Sequence, residues 1–257
     1  MVKLIACDID GTLLFSGGSK QIDSAVFQEV QRLMAQGVHF CPASGRQVES
    51  LRRLFSPIAD QIYCLADNGA NIFGPGNPGP LLGQSIMDRD KALTLARQIM
   101  AKEECEVLLC GAQTGYLCPK REDLLEVIKG YVGNSIQILP CPEAMPENIV
   151  KVSAYVESGA AAIEPDFAPQ WSREFQVAIA GQRWLDFTTG DKGSGIAHLC
   201  RILGISKEEV MAFGDNYNDV PMLDYVGIPF IMDNAVEDLR NRYPNHCRRV
   251  EDILKTL

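Results

Sequence analysis

Short apolar runs alternate with amphipathic stretches along most of the chain, and the rhythm changes once before it returns. Lys3–Cys7 is expected to be the first strand; its apolar run, Leu4-Ile5-Ala6-Cys7, has no polar face, as befits a strand buried on both sides. Ile22, Val26, Val30, Leu33 and Met34 then recur at helical spacing, with Asp23 placed as an N-cap and Gly37 just past the end. The pattern next predicts a strand over Val38–Ala43, a short helix over Val48–Phe55 and a strand over Gln61–Ala66. Such alternation implies parallel crossovers and a layered α/β sheet.

Gly74-Pro75-Gly76-Asn77-Pro78-Gly79-Pro80 interrupts that order and reads as a hairpin loop or linker. Beyond it the pattern gives a helix over Lys91–Lys102, a strand over Glu106–Cys110, a helix over Leu124–Val132 and strands at Val150–Val156 and Gln176–Ala180. Prolines at 140, 142 and 146 separate these pieces. The first rhythm resumes with a helix over Gly195–Leu203, strands at Val210–Phe213 and Ile228–Met232, and helices over Asn218–Tyr225 and Val236–Tyr243. Ser206-Lys207-Glu208-Glu209 has capping-box form, which predicts a helical turn before Val210. The expectation is a discontinuous, Rossmann-like α/β core with a mostly parallel sheet, formed by residues 1–80 and 186–257, with an inserted α+β domain at 81–185.

Composition narrows the function classes. With 24 basic and 33 acidic residues the net charge is −9, which argues against a nucleic-acid partner, since backbone binders concentrate Lys and Arg. It does not argue against a small phosphorylated molecule, because a few cations and a metal can reverse the field inside a cleft. No apolar stretch approaches the roughly 20 residues that span a bilayer. Met1-Val2-Lys3 also leads straight into the first strand, so the expectation is a cytoplasmic protein without a membrane partner. The nine cysteines include no CxxC pair and read as free, mostly buried thiols. Oligomeric state is not legible.

The candidate chemistry lies where core strands end. Asp8-Ile9-Asp10-Gly11-Thr12 follows the first strand, so two carboxylates arrive at the sheet edge where open α/β sheets place their ligand crevice. Positions two apart share a strand face, although Gly11 is expected to end the strand early and re-aim Asp10. One such carboxylate can attack phosphorus while its neighbour protonates the leaving oxygen. Ser44-Gly45-Arg46 offers a hydroxyl and backbone N–H donors before a helix; a plain Ser cap is the bland alternative. Asp191-Lys192-Gly193 leads into another helix, where Lys192 can neutralise a phosphoryl group or remain a solvated surface lysine. Gly214-Asp215-Asn216-Tyr217-Asn218-Asp219 repeats the apolar-strand-to-acidic-turn pattern. Asp215 suits a metal at the sheet edge, and Asp219, one turn on, can support the metal or Lys192 from behind. Mg²⁺ fits this donor set, since it takes oxygen ligands and needs one or two carboxylates plus a phosphate.

In order and surroundings these four clusters resemble the motifs of haloacid-dehalogenase-superfamily phosphatases. The layout resembles the Cof-type branch, with a large α/β cap between the second and third motifs. Asp67-Asn68-Gly69-Ala70 and Asp233-Asn234-Ala235 resemble two further signatures of that branch. The resemblance implies Asp8 as nucleophile and Mg²⁺ ligand, and Asp10 as general acid and then base, with its backbone carbonyl on the metal. Thr12, Ser44 and Gly45 would bind phosphoryl oxygens, and Lys192 would neutralise the nucleophile and the transferring group. Asp215 would complete the metal ligands, with Asn218 and Asp219 supporting phosphate or metal. It implies an Mg²⁺-dependent phosphomonoesterase for small phosphorylated metabolites, sugar phosphates first. The alternatives are a phosphosugar mutase or dedicated disaccharide-phosphate phosphatase on the same scaffold, and a non-catalytic binding protein. The chain departs from the family pattern at Ala43-Ser44, at Asp233 and in a C-terminus without the usual glycine. Trp171, Trp184, Arg173, Arg183 and Tyr116 are candidate substrate contacts in the insert, while His39, His198 and His246 read as structural.

Overall fold

A computed structural model describes residues 1–15, 17–18, 21–77, 79–121, 123–132, 136–180 and 182–257. The chain begins with strand β1 (Leu4–Cys7), helix α1 (Ser24–Met34), β2 (His39–Pro42), α2 (Val48–Leu54) and β3 (Cys64–Ala66). It continues with β4 (Asn71–Phe73) and β5 (Leu81–Gln84). The middle contributes α3 (Arg89–Ala101), β6 (Cys105–Cys110), β7 (Gly115–Cys118), α4 (Asp123–Val132), β8 (Ile136–Ile138), β9 (Lys151–Val156), α5 (Glu164–Trp171), β10 (Gln176–Ala180) and β11 (Trp184–Thr188). The last third adds α6 (Lys192–Leu203), β12 (Val210–Gly214), α7 (Val220–Tyr225), β13 (Ile228–Met232), α8 (Glu237–Arg242), β14 (His246–Cys247) and α9 (Val250–Leu254).

Strands β14, β13, β12, β1 and β2 form a five-stranded, all-parallel sheet in that order. Every residue of β1 is buried, as a central parallel strand requires. Its side chains alternate between two cores. Ile5 and Cys7 pack with Val26, Val30, Leu51 and Leu254 on one side. Leu4 and Ala6 pack with Ile196, Leu199, Met222 and Leu239 on the other. The chain winds outward from β1 to β2 in one direction and from β12 to β14 in the other. A topological switch point therefore lies beside β1, at the carboxyl edge where ligands bind in such sheets.

A six-stranded sheet, β10-β11-β9-β6-β7-β8, is built from residues between 105 and 188, and β3, β4 and β5 form an antiparallel three-stranded sheet. On β9 the period of two is clear: Val152, Ala154 and Val156 enter the core under α3 and α5, while Lys151, Ser153 and Tyr155 take the opposite face. Sheet boundaries differ slightly from the expected 81–185 segment. Leu81–Gln84 pairs with β4, and β11 runs past residue 185 as one strand.

Most expected elements appear within a residue or two. The Gly/Pro stretch joins β4 to β5, closed by Gly74 N–H donating to Pro80 O at 2.8 Å; Pro78 lies outside the described residues. Helix α6 starts three residues earlier than the apolar spacing suggests. Asp191 caps it by accepting from Ser194 N, and Ser194 Oγ closes the box on Asp191 N, so Lys192 is the first helical residue. The Asn218–Tyr225 helix is split into a 3-10 turn at Tyr217–Asp219 and α7. All nine cysteines are free, eight of them buried. Among the described residues no helix is long and apolar enough to cross a membrane.

Candidate active site

Asp8 continues the β1–β12 ladder by one bond, its N–H donating to Phe213 O at 3.0 Å, and then the backbone leaves the sheet. The N–H groups of Leu13 and Leu14 turn back onto Ile9 O at 2.9 and 2.8 Å. Gly11 makes this turn possible. Its φ is +100°, and a Cβ there would lie 2.1 Å from Asp215 Oδ2. The turn is also held from outside, by Asn234 Nδ2 donating to Gly11 O at 2.9 Å. Thr12, 1% exposed, donates its hydroxyl to Asp215 Oδ1 at 3.2 Å. The first and fourth motifs are thus fitted directly together.

Lys192 lies fully buried behind them. Its ammonium donates to Asp8 Oδ1 and Asp219 Oδ1, each at 2.5 Å. Asp219 spends its other oxygen on the N–H groups of Asp215 (2.9 Å) and Asn216 (3.0 Å), which shapes the turn after β12. One carboxylate oxygen from each of Asp8, Asp215 and Asp219 lies within 4.8 Å of the others. Three buried or half-buried acids therefore face one base. Burial, with Asp219 adding to it, pushes the Asp8 carboxyl up to about 8 against the pull of Lys192. Burial and Asp219 likewise raise Asp215, to about 6. Burial opposes the charge on Lys192, but Asp219 and Asp8 outweigh it and hold the ammonium above the ordinary lysine range. Such an excess of hard oxygen donors fits a divalent cation.

Asp10 points elsewhere. Its two oxygens accept from Arg46 Nε at 2.8 Å and Nη2 at 2.6 Å, a bidentate fork at the mouth of the site. Its carboxylate is therefore outside the acidic cluster, in keeping with the re-aiming expected after Gly11. Ser44 is 2% exposed, and its Oγ accepts from Arg46 N at 3.3 Å. Asn218 donates to Asn68 Oδ1 at 3.3 Å, which ties the fourth motif to the loop after β3. That loop carries two consecutive left-handed residues, Asp67 (φ +51°) and Asn68 (φ +55°), an uncommon conformation for side chains other than glycine.

Asp8, Asp10, Ser44, Gly45 and Asn218 all line one chamber of about 780 Å³ between the carboxyl edge of the parallel sheet and the six-stranded sheet. Trp184 and Arg183 reach it. Trp171 and Tyr116 are core residues instead, with Trp171 Nε1 donating to Gln98 and the Tyr116 hydroxyl to Glu147, both at 2.8 Å. Arg173 is exposed and lies outside the chamber wall. His39 packs edge-on against Tyr63, and His246 Nε2 lies 3.0 Å from Tyr243 O. Lys151, Ser153, Asp186 and Gln47 also line the chamber, and the sequence pattern did not point to them. For Lys151, Ser153 and Asp186 the one signal is a polar residue at alternate positions of otherwise apolar strands.

A model of the haloacid dehalogenase-like hydrolases matches residues 5–252. The chain is 26% identical over 245 residues to the 5-amino-6-(5-phospho-D-ribitylamino)uracil phosphatase of Escherichia coli K12, covering 91% of this chain and 86% of that one. It is 25% identical over 264 residues to the HMP-PP phosphatase of Escherichia fergusonii, covering 96% and 92%. A solved structure from Eubacterium rectale superimposes with a TM-score of 0.85 at 25% identity, over 99% of this chain and 98% of that one. The chain belongs to the haloacid dehalogenase-like hydrolases, and within them it is a phosphatase.

Proposed function

We propose that the chain is a phosphomonoesterase that hydrolyses small phosphorylated metabolites through an aspartyl-phosphate on Asp8, with Mg²⁺ as its metal. The observation that carries this reading is the ammonium of Lys192, buried and shared between Asp8 and Asp219 beside Asp215. It leaves Asp8 positioned by one bond to a cation, at the open edge of the sheet, with its second oxygen not used by Lys192.

In the first step an Asp8 oxygen forms a bond to phosphorus, and the bond from phosphorus to the ester oxygen breaks. Asp10, released from the Arg46 fork and protonated, gives its proton to that leaving oxygen. In the second step Asp10, now a carboxylate, takes a proton from water, whose oxygen bonds to phosphorus. The Asp8–phosphorus bond breaks, returning the Asp8 carboxylate and inorganic phosphate. Thr12, Ser44, Gly45 and Asn218 hold phosphoryl oxygens, and Lys192 offsets the charge that builds on them. Asp8, Asp215 and the Asp10 carbonyl would hold Mg²⁺, which supplies charge neutralisation and orientation of the phosphoryl group when bound. Asp219 supports them rather than binding metal, since both its oxygens are committed to Lys192 and to backbone N–H groups. The segment 81–185 acts as a cap that closes the chamber against water.

The chamber also favours an organic ester over bare phosphate, because Leu108, Val177, Ile179 and Trp184 give it an apolar wall beside the polar edge. Phosphate release should be measured across sugar, polyol and nucleotide monophosphates with Mg²⁺ or EDTA. Metal-dependent release supports the reading and ranks the substrates. No release from any ester by folded, metal-loaded protein contradicts it.

A further inference from the structure

Lys151 sits at the start of β9 on the six-stranded sheet, 6% exposed, and its ammonium reaches residues outside that sheet. It lies 2.9 Å from Asp67 Oδ1 and donates to Gly45 O at 3.1 Å, with Asp186 Oδ2 at 3.8 Å. Asp186 is itself oriented by Ser153, whose hydroxyl donates to Oδ1 at 2.7 Å. Asp67 Oδ2 accepts from Asn71 Nδ2 at 3.0 Å, and the same amide donates to Gly111 O at 3.2 Å.

The three successive carbonyls of Ser44-Gly45-Arg46 have three different anchors. Ser44 O accepts from Asn68 N at 2.9 Å and Arg46 O from Asp67 N at 3.0 Å, both local loop bonds. The middle one, Gly45 O, accepts from Lys151. That carbonyl shares a rigid peptide plane with Arg46 N–H, which donates to Ser44 Oγ at 3.3 Å. Holding the carbonyl therefore aims the N–H, and the N–H fixes the Ser44 hydroxyl as acceptor, leaving its own hydrogen to donate into the chamber.

We infer that Lys151 is a positioning residue, which sets the Ser44 hydroxyl for a phosphoryl oxygen from the opposite sheet through the Gly45–Arg46 peptide. The inference rests on the proposed phosphate-binding role of Ser44. Lys151 touches neither nucleophile nor general acid; it acts through Gly45. Its charge is held in place by Asp67 in the turn after β3 and by Asp186 on β11, so the contact forms only when that turn and the six-stranded sheet are apposed.

The test is a double-mutant cycle read by calorimetric binding of inorganic phosphate to Mg²⁺-loaded protein, which needs no turnover. Lys151→Met should weaken phosphate binding by about ten-fold, the loss expected of one misaligned hydrogen bond to a charged group. In a Ser44→Ala background the same substitution should change binding by less than about two-fold, because the group it positions is gone. Lys151→Arg, which keeps a donor and a charge, should recover part of the loss. If Lys151→Met leaves two buried acids and does not fold, Lys151→Met with Asp67→Asn removes one of them and should show the same loss of phosphate affinity. Wild-type affinity in either variant, or the same factor with and without the Ser44 hydroxyl, overturns the inference. Failure of the phosphatase reading would show differently, as a wild-type protein that releases no phosphate from any ester.

Discussion

Arg46 holds both carboxylate oxygens of Asp10 in a fork, at 2.8 and 2.6 Å, 36 residues along the chain and just past the end of β2. The proposed general acid is therefore kept apart from the Asp8–Lys192 pair by a partner of its own. A general acid contributes most when the leaving oxygen is basic. Asp10→Asn should lower turnover of alkyl phosphates by about 10²–10⁴-fold and of p-nitrophenyl phosphate far less. Arg46→Ala should cost much less on either ester, because Asp10 remains and acts only once it has left the fork. Steady-state kinetics on the two ester classes checks this, and equal losses on both would remove Asp10 from the acid role.

Removing Lys192 should harm both stability and rate. Lys192→Met leaves Asp8 and Asp219 buried without their shared cation, a change that costs about 3–5 kcal/mol in comparable sites. Folding denaturant midpoints read that cost. In the fraction that stays folded, turnover should fall by about 10²–10³-fold, the scale of losing one preorganised electrostatic partner.

Gly11 tests the fit between the first and fourth motifs. An alanine there would need a φ of +100° and would place its Cβ 2.1 Å from Asp215 Oδ2. Gly11→Ala should weaken Mg²⁺ binding and turnover together, through displacement of Asp215, while the two cores around β1 stay folded. Metal titration and a thermal melt separate the two effects. Unchanged metal affinity would mean that Asp215 can shift without consequence.

The metal-free protein should lose stability as pH rises through the weakly acid range. Asp8 and Asp215 are raised from 3.8, to about 8 and about 6, so each is stabilising while protonated and costs stability as it ionises in the fold. That contribution is full below the ordinary carboxylate value and is lost as pH climbs through the raised one. Lys192 is raised from 10.5 and adds no slope in this window. Melting temperatures in EDTA should therefore fall between about pH 4 and pH 8, and Mg²⁺ should offset the fall increasingly toward the upper end. A flat profile in EDTA, or equal stabilisation by Mg²⁺ at both ends, would contradict it.

The core elements were readable because their signal is local. β1 is one unbroken apolar run that ends in a polar turn, and β12 repeats the device. Asp8, Ser44, Asp215 and Asp219 stand just after such strands and Lys192 at the start of a helix, while the role of Thr12 came from the family resemblance. Other features were hidden for physical reasons. β11 carries Asp186 buried among Trp184, Leu185 and Phe187, and an acid inside an apolar run masks a strand. α5 contains Pro165 in its first turn and Pro169 inside, both of which read as breaks. The Arg46–Asp10 fork and the contact of Lys151 with Gly45 join residues on different elements, so no spacing in the chain announces them.

The central claim is a covalent bond between phosphorus and Asp8. Rapid acid quench of the Mg²⁺-loaded enzyme during turnover of a phosphate ester, followed by peptide mass spectrometry, tests it most directly. A phosphoryl group is expected on the peptide containing Asp8, absent in Asp8→Asn, which should retain its fold and lose turnover. Undiminished metal-dependent hydrolysis by Asp8→Asn would contradict it.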